Sequence, residues 1–205
     1  MFNVVTIARE YGSGGAEIGR RTAKLLKWEL LDRQIIERVA ATGKIDRAWV
    51  EEADGTSSAW WERLLKCFRH GGPEAYVGAI ADTGVDRDSL QTFTARIIKE
   101  AGEAGNCVIV GRGSHCVLHN DPQALHVLVY APLEEKLERV KSRHSHERDL
   151  QGLLRQMDAE RLHYAHKYFG RDSADPHLYH LCLNSTLGLD ACAELIAAAI
   201  RSSGN

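Results

Sequence analysis

Val4-Val5-Thr6-Ile7-Ala8-Arg9-Glu10-Tyr11-Gly12-Ser13-Gly14-Gly15-Ala16-Glu17-Ile18-Gly19 changes character twice within one short stretch. Its opening is apolar and β-branched, as a buried strand requires. Its centre is glycine-rich. Its end leads into a helical spacing that leaves Ile18, Ala23, Leu25 and Leu26 for an inward face. Strand, glycine turn and helix in that order outline a phosphate loop. Glycines let backbone N–H groups approach an anion, and the new helix brings its positive end to the same point. The usual formula is GxxxxGK followed by Ser or Thr. Aligned on Gly14, the first glycine is Arg9, the lysine is Gly15, and the hydroxyl residue is Ala16. The outline is present and its chemical side chains are not.

Outward from this stretch the chain alternates. Strands are expected at 3–8, 29–31, 106–110, 126–130 and 179–183. Helices are expected at 14–27, 33–42, 86–101, from Pro132 onward, and from a cap at Asp190 to the C-terminal tail. Between 44 and 88 the pattern changes to short helices at 46–53, 58–69 and 73–82, with Trp49, Trp60 and Trp61 among them. Five short apolar strands separated by helices predict an α/β fold, a five-stranded parallel sheet with helices on both faces. Ligands in such sheets bind beyond the carboxyl ends of the strands. That draws attention to 9–15, Asp32-Arg33, Gly111-Arg112-Gly113, Ala131-Pro132 and Asn184-Ser185.

The 205 residues suit one domain with a small insert, and a net charge of −2 excludes dominant electrostatic binding to nucleic acid or a membrane surface. The charge is uneven. Residues 136–171 hold nine Lys/Arg against five Asp/Glu, a net +4 that leaves −6 for the remainder. The five cysteines are scattered without a CxxC pair and read as reduced thiols in a cytoplasmic protein. No signal peptide is expected, and no apolar run reaches the ~18 residues of a membrane span.

The succession YGSGGAEIG, LLDRQII, VIVGRG, VYAPLEEKLERV, MDAERLHYAHKYFG and LCLNST resembles the cytidylate kinase-like branch of the P-loop nucleoside monophosphate kinases. The resemblance spans nearly the whole chain and is weakest over 44–88. That branch carries GSGG where typical cytidylate kinases carry GSGKST, so the missing lysine is a trait of the branch. A basic residue is expected after GSGG, and Ala16 departs from that. The resemblance implies ATP with Mg²⁺, a small-molecule nucleotide acceptor, a helical acceptor-binding insert at 44–88 and a lid at 139–157. It implies no metal ligand by number, and a homodimer is left open.

It also distributes roles. Gly12, Ser13, Gly14, Gly15, Ala16 and Glu17 would surround the donor phosphates. Arg112 matches the arginine of a GRD motif that contacts the acceptor phosphate; its alternative is an ion pair at a strand end. The aspartate of that motif is Gly113 here. Asp158 and Arg161 match a D-x-x-R whose arginine reaches the transferring phosphate. Three residues apart on one helix face, they could equally form a simple pair. Arg143 would sit in the lid and Arg139 at its hinge. Asp32 and Arg33 would lie at the acceptor, unless Asp32 only caps the following helix. Arg9, beside the loop, either replaces the lost lysine or props the loop through Glu10, Glu17 or Asp32.

The function implied is ATP-dependent phosphoryl transfer to a nucleoside monophosphate, CMP or dCMP first. Two alternatives stay open: a nucleotide-binding protein that has lost catalysis, and a kinase for a non-nucleotide acceptor. The histidines show neither HxH nor HExxH spacing and read as surface or pocket-lining residues.

Overall fold

The computed structural model describes residues 1–32 and 87–204. The first strand, β1 (Val4–Arg9), is the central one of a five-stranded sheet. The others are β2 (Glu29–Leu31), β3 (Cys107–Val110), β4 (Ala124–Tyr130) and β5 (Leu181–Asn184), in the order β2-β3-β1-β4-β5. Every pairing is parallel, with Val5 registered against Val108 on one side and Leu125 on the other. The described helices are α1 (Gly15–Leu26), α2 (Arg87–Ala104), α3 (Ser114–Val117), α4 (Leu133–Lys141), α5 (Leu150–Phe169) and α6 (Leu189–Ser202). The expected parallel α/β architecture is the one found.

Chain contacts divide the protein into two compact units. Residues 1–32 with 105–205 carry the sheet, and 33–104 form the other unit, of which α2 is the described part. The helices expected at 33–42, 46–53, 58–69 and 73–82 lie outside the described residues, as does Arg33.

Alternation along the strands sends successive side chains to opposite faces, and a parallel sheet buries both. On one face Val5, Ile7, Val108, Val110, Leu125, Val127 and Val129 join Ile18 and Ala23 of α1 and Ala193, Ile196 and Ile200 of α6 in a single cluster. Each such aliphatic side chain contributes about 1.5–3 kcal/mol when fully buried. Val4, Thr6, Ile109 and His126 point the other way and are buried as well. Two polar contacts are made on this side, one by a strand residue and one by His115 of α3. The Thr6 hydroxyl lies 2.7 Å from His126 Nδ1, and His115 Nε2 lies 3.0 Å from Ser173 Oγ. Burial pushes the pKa of both imidazoles down to about 4, so both are neutral at pH 7.

Three element ends differ from expectation. β4 begins at Ala124 because the whole of β1 pairs with it, Val4 opposite Ala124. β5 begins at Leu181, after a 3₁₀ turn at Pro176–Leu178 capped by Asp175. The final helix is capped by Gly188, at φ +100°, where glycine carries little penalty. Asp190 is instead in its first turn and meets Arg21 Nη1 of α1 at 2.7 Å. Of the described cysteines, Cys107, Cys116 and Cys192 are buried, Cys182 is exposed, and all are free. No described helix is long and apolar enough to cross a membrane.

Candidate functional site

Residues 10–14 carry the chain from the end of β1 to the start of α1. Gly12 and Gly14 take φ of +80° and +83°, a region L side chains rarely adopt. Space forbids a side chain too. A Cβ on Gly12 would stand 2.9 Å from the Lys136 carbonyl oxygen, and one on Gly14 2.7 Å from Leu189 Cδ2. Tyr11 N–H donates to Asp158 Oδ1 at 2.5 Å. Ser13 is fully buried, and its hydroxyl donates to the Glu10 carbonyl at 2.8 Å. α-Helix geometry leaves the first amides of α1, including those of Gly15 and Ala16, without intrahelical acceptors. Together with the positive helix end they suit an anion.

At two of the positions where a motif residue is missing, a neighbour fills the space. A Cβ on Gly15 would meet Arg9 Cβ at 2.7 Å and Arg9 Cδ at 3.1 Å. The aliphatic stem of Arg9 therefore lies over the position where the lysine would begin. Its guanidinium packs on Gly111, whose own Cβ would overlap Nη1 and stand 3.1 Å from Cζ. Arg9 thus ties the loop to the end of β3. At Gly113 a Cβ would overlap the ring of Phe169, so the aspartate of a GRD motif has no room. Gly113 also sits at φ +68°, and the preceding Arg112 at φ +58°.

Three further cations contact the loop. Lys136 Nζ lies 3.0 Å from both Glu10 Oε2 and Asp158 Oδ2. Burial works against this ammonium, but the hydrogen bonds it donates to Asp158 and Glu10 outweigh it and hold its pKa above the ordinary lysine value. Arg139 donates to Ser13 O at 3.2 Å, to Ser185 Oγ at 2.8 Å and to Ser185 O at 3.3 Å, and pairs with Glu135 at 3.1 Å. It bolts α4 to the loop and to the segment after β5. Arg161 Nη1 donates to the Arg9 carbonyl at 2.8 Å, and its guanidinium stands 5.3 Å from the Tyr11 ring centroid. Its distance to Asp158 is 3.8 Å. Arg112 is near enough to Tyr164 to lower that phenol's pKa, against the larger upward push of burial.

Arg9, Gly12–Ala16, Asp158 and Arg161 are therefore brought together. Arg143 follows α4 and is exposed. Glu17 turns to its own helix, meeting Arg21 at 3.0 Å and Arg20. Asp32 directly follows β2, which pairs with β3, the strand that leads to Arg112. Sequence reasoning passed over Glu10, Tyr11, Lys136, His144 and Phe169. Lys136 had a usable signal, since it precedes Arg139 by one helical turn. The Tyr11 hydroxyl, 2.7 Å from His144 Nε2, had none, because that pairing is long-range.

The donor set fits ATP's phosphates through backbone amides and converging cations. It does not fit a Mg²⁺ ion held by the loop in the usual way. Ala16 has no hydroxyl, Ser13 spends its own on a carbonyl, and Glu10 and Asp158 are both on Lys136.

The parallel sheet with its flanking helices is a kinase-like fold, which together with the family match supports a nucleotide-binding phosphotransferase. The chain belongs to the cytidylate kinase-like family, whose model matches residues 4–187. Among solved structures it is similar to an uncharacterized protein from Eubacterium ventriosum ATCC 27560 at 18% identity and a TM-score of 0.70, covering 98% of this chain and 99% of that one. It is also similar to shikimate kinase from Bacteroides thetaiotaomicron (11% identity, TM-score 0.52, 97% and 98% covered). A third likeness is to shikimate kinase from Acinetobacter baumannii in complex with shikimate (15% identity, TM-score 0.50, 99% and 95% covered). At these identities the likeness is one of fold. No curated protein matches the chain.

Proposed function

We propose that this protein transfers the γ-phosphoryl group of ATP to a nucleoside monophosphate, with CMP or dCMP as the first acceptors to test. What supports the reading is the convergence of Arg9, Lys136, Arg139 and Arg161 on a glycine loop whose own lysine position is Gly15. Phosphoryl transfer asks the protein mainly for position and for positive charge around the moving group. Amides of residues 12–16 hold the donor phosphates, and Glu17 secures the first turn of α1 through Arg20 and Arg21. Arg161 and Asp158 act at the transferring group, Asp158 by fixing the Tyr11 amide. Arg112 and Asp32, after adjacent strands, receive the acceptor. Within the 139–157 segment Arg139 stays fixed to the loop, and the exposed Arg143 and the turn after His144 cover the phosphates.

ADP release followed by a coupled assay, with a panel of monophosphates and with shikimate, tests the proposal. Turnover with CMP or dCMP is the expected result. ATP binding with no turnover on any acceptor favours a nucleotide-binding protein without catalysis, the reading to which Ala16 and the engaged Ser13 hydroxyl lend weight.

A further inference from the structure

Lys136 has none of the roles that the motifs distribute, yet it packs directly against the loop. Its carbonyl and Cβ occupy the space a Gly12 side chain would need, at 2.9 and 3.1 Å. Its ammonium bridges Glu10, a loop residue, and Asp158, which also holds the Tyr11 amide. We propose that Lys136 is the mobile phosphate-binding cation of this site, leaving Glu10 and Asp158 for the phosphates of a nucleoside triphosphate seated on residues 12–16. The inference rests on the nucleotide reading above.

The other cations are committed. Arg139 has two serine carbonyls, a serine hydroxyl and Glu135. The stem of Arg9 is wedged against Gly15 and its head against Gly111. Arg161 is held by the Arg9 carbonyl and lies over Tyr11. Lysine's compact charge sits on a flexible four-carbon stem with three rotatable donors, so it can swing without moving α4. Its departure strands neither acid. The Glu10 side chain is 40% exposed and can take water. Asp158 keeps the Tyr11 amide at 2.5 Å and Arg161 at 3.8 Å. The two carboxylates therefore hold the ammonium beside the loop and release it to a stronger anion.

The opposing prediction is that Lys136 is only a strut between α4, α5 and the loop. Glu10→Gln separates the two. Glutamine keeps an oxygen for the Ala131 amide, 3.4 Å away, but loses the charge that holds Lys136 back. Calorimetric titration with ATP and with inorganic tripolyphosphate, without an acceptor, is the measurement. K136M is expected to weaken both ligands by about tenfold, as loss of a charge-assisted contact implies. E10Q is expected to tighten both several-fold, and the gain is expected to vanish in E10Q/K136M. Should K136M not fold, E10Q alone decides, since it retains Lys136 and Asp158. E10Q binding no tighter than wild type, or K136M binding equally well, overturns the proposal. Wild-type protein that binds neither ligand overturns the nucleotide reading and this inference with it.

Discussion

Gly15→Ala is the smallest change that probes how the loop has been rebuilt. Gly15 opens α1 without a positive φ, so alanine suits its backbone and on its own would stabilise by about 0.4–1 kcal/mol. The new methyl, however, would stand 2.7 Å from Arg9 Cβ and 3.1 Å from Arg9 Cδ. The nearer atom is fixed to the backbone of β1 and cannot swing aside. Overpacking of this kind costs about 1–3 kcal/mol. The net loss is about 1–2 kcal/mol, or roughly 2–8 °C in Tm for a chain of this size. Replacing Arg9 by glycine removes the obstructing atoms, so in the Arg9→Gly background Gly15→Ala should stabilise by about 0.5–1 kcal/mol. Urea denaturation of the four proteins at matched m-values reads the sign directly. The same sign in both backgrounds would refute the idea that Arg9 occupies the lysine's place.

Restoring the aspartate of the GRD motif should fare worse. Gly113→Asp combines a left-handed backbone with overlap of the Phe169 ring, and a loss of about 3 kcal/mol or more is expected from the two costs together. Denaturation midpoints check it, and near-wild-type stability would show that Phe169 moves aside freely. The buried imidazoles set a pH dependence. His115 and His126 have pKa values lowered by burial from 6.5 to about 4, so the unfolded chain binds more protons between those values. Their contribution is complete above pH 6.5 and drains away as the pH falls toward 4, by at most about 3 kcal/mol each. Urea midpoints at pH about 7.5 and about 4.5 should differ accordingly, and a flat profile would contradict the burial argument.

The sheet was legible because both its faces are buried: runs such as Cys107-Val108-Ile109-Val110 have no other use in a chain of this composition. The loop was legible as a backbone shape, since Gly12 and Gly14 are glycines for local reasons. What Gly15 and Gly113 mean was not legible. Read along the chain they are deletions of function. In space they are the room taken by Arg9 and Phe169, and that exchange is visible only once residues far apart in sequence are in contact. The partners of Lys136 were hidden for the same reason, lying 126 and 22 positions away. Asp190 illustrates the smaller misses. It looked like a cap, but Gly188 took that place and left the aspartate for Arg21.

The attachment of α4 to the loop has a mechanical consequence. Lys136 and Val140 press on Gly12, Arg139 holds the Ser13 carbonyl, and His144 holds the Tyr11 hydroxyl. A swing of α4 would break all of these at once, over most of the helix's length. The fulcrum for any closing stroke of the basic segment therefore falls beyond His144, in the turn before Asp149 caps α5. On the near side α4 is part of the loop's frame, and on the far side Asp158 and Arg161 tie α5 to the same frame, which leaves the turn at 145–148 as the stretch that can flex.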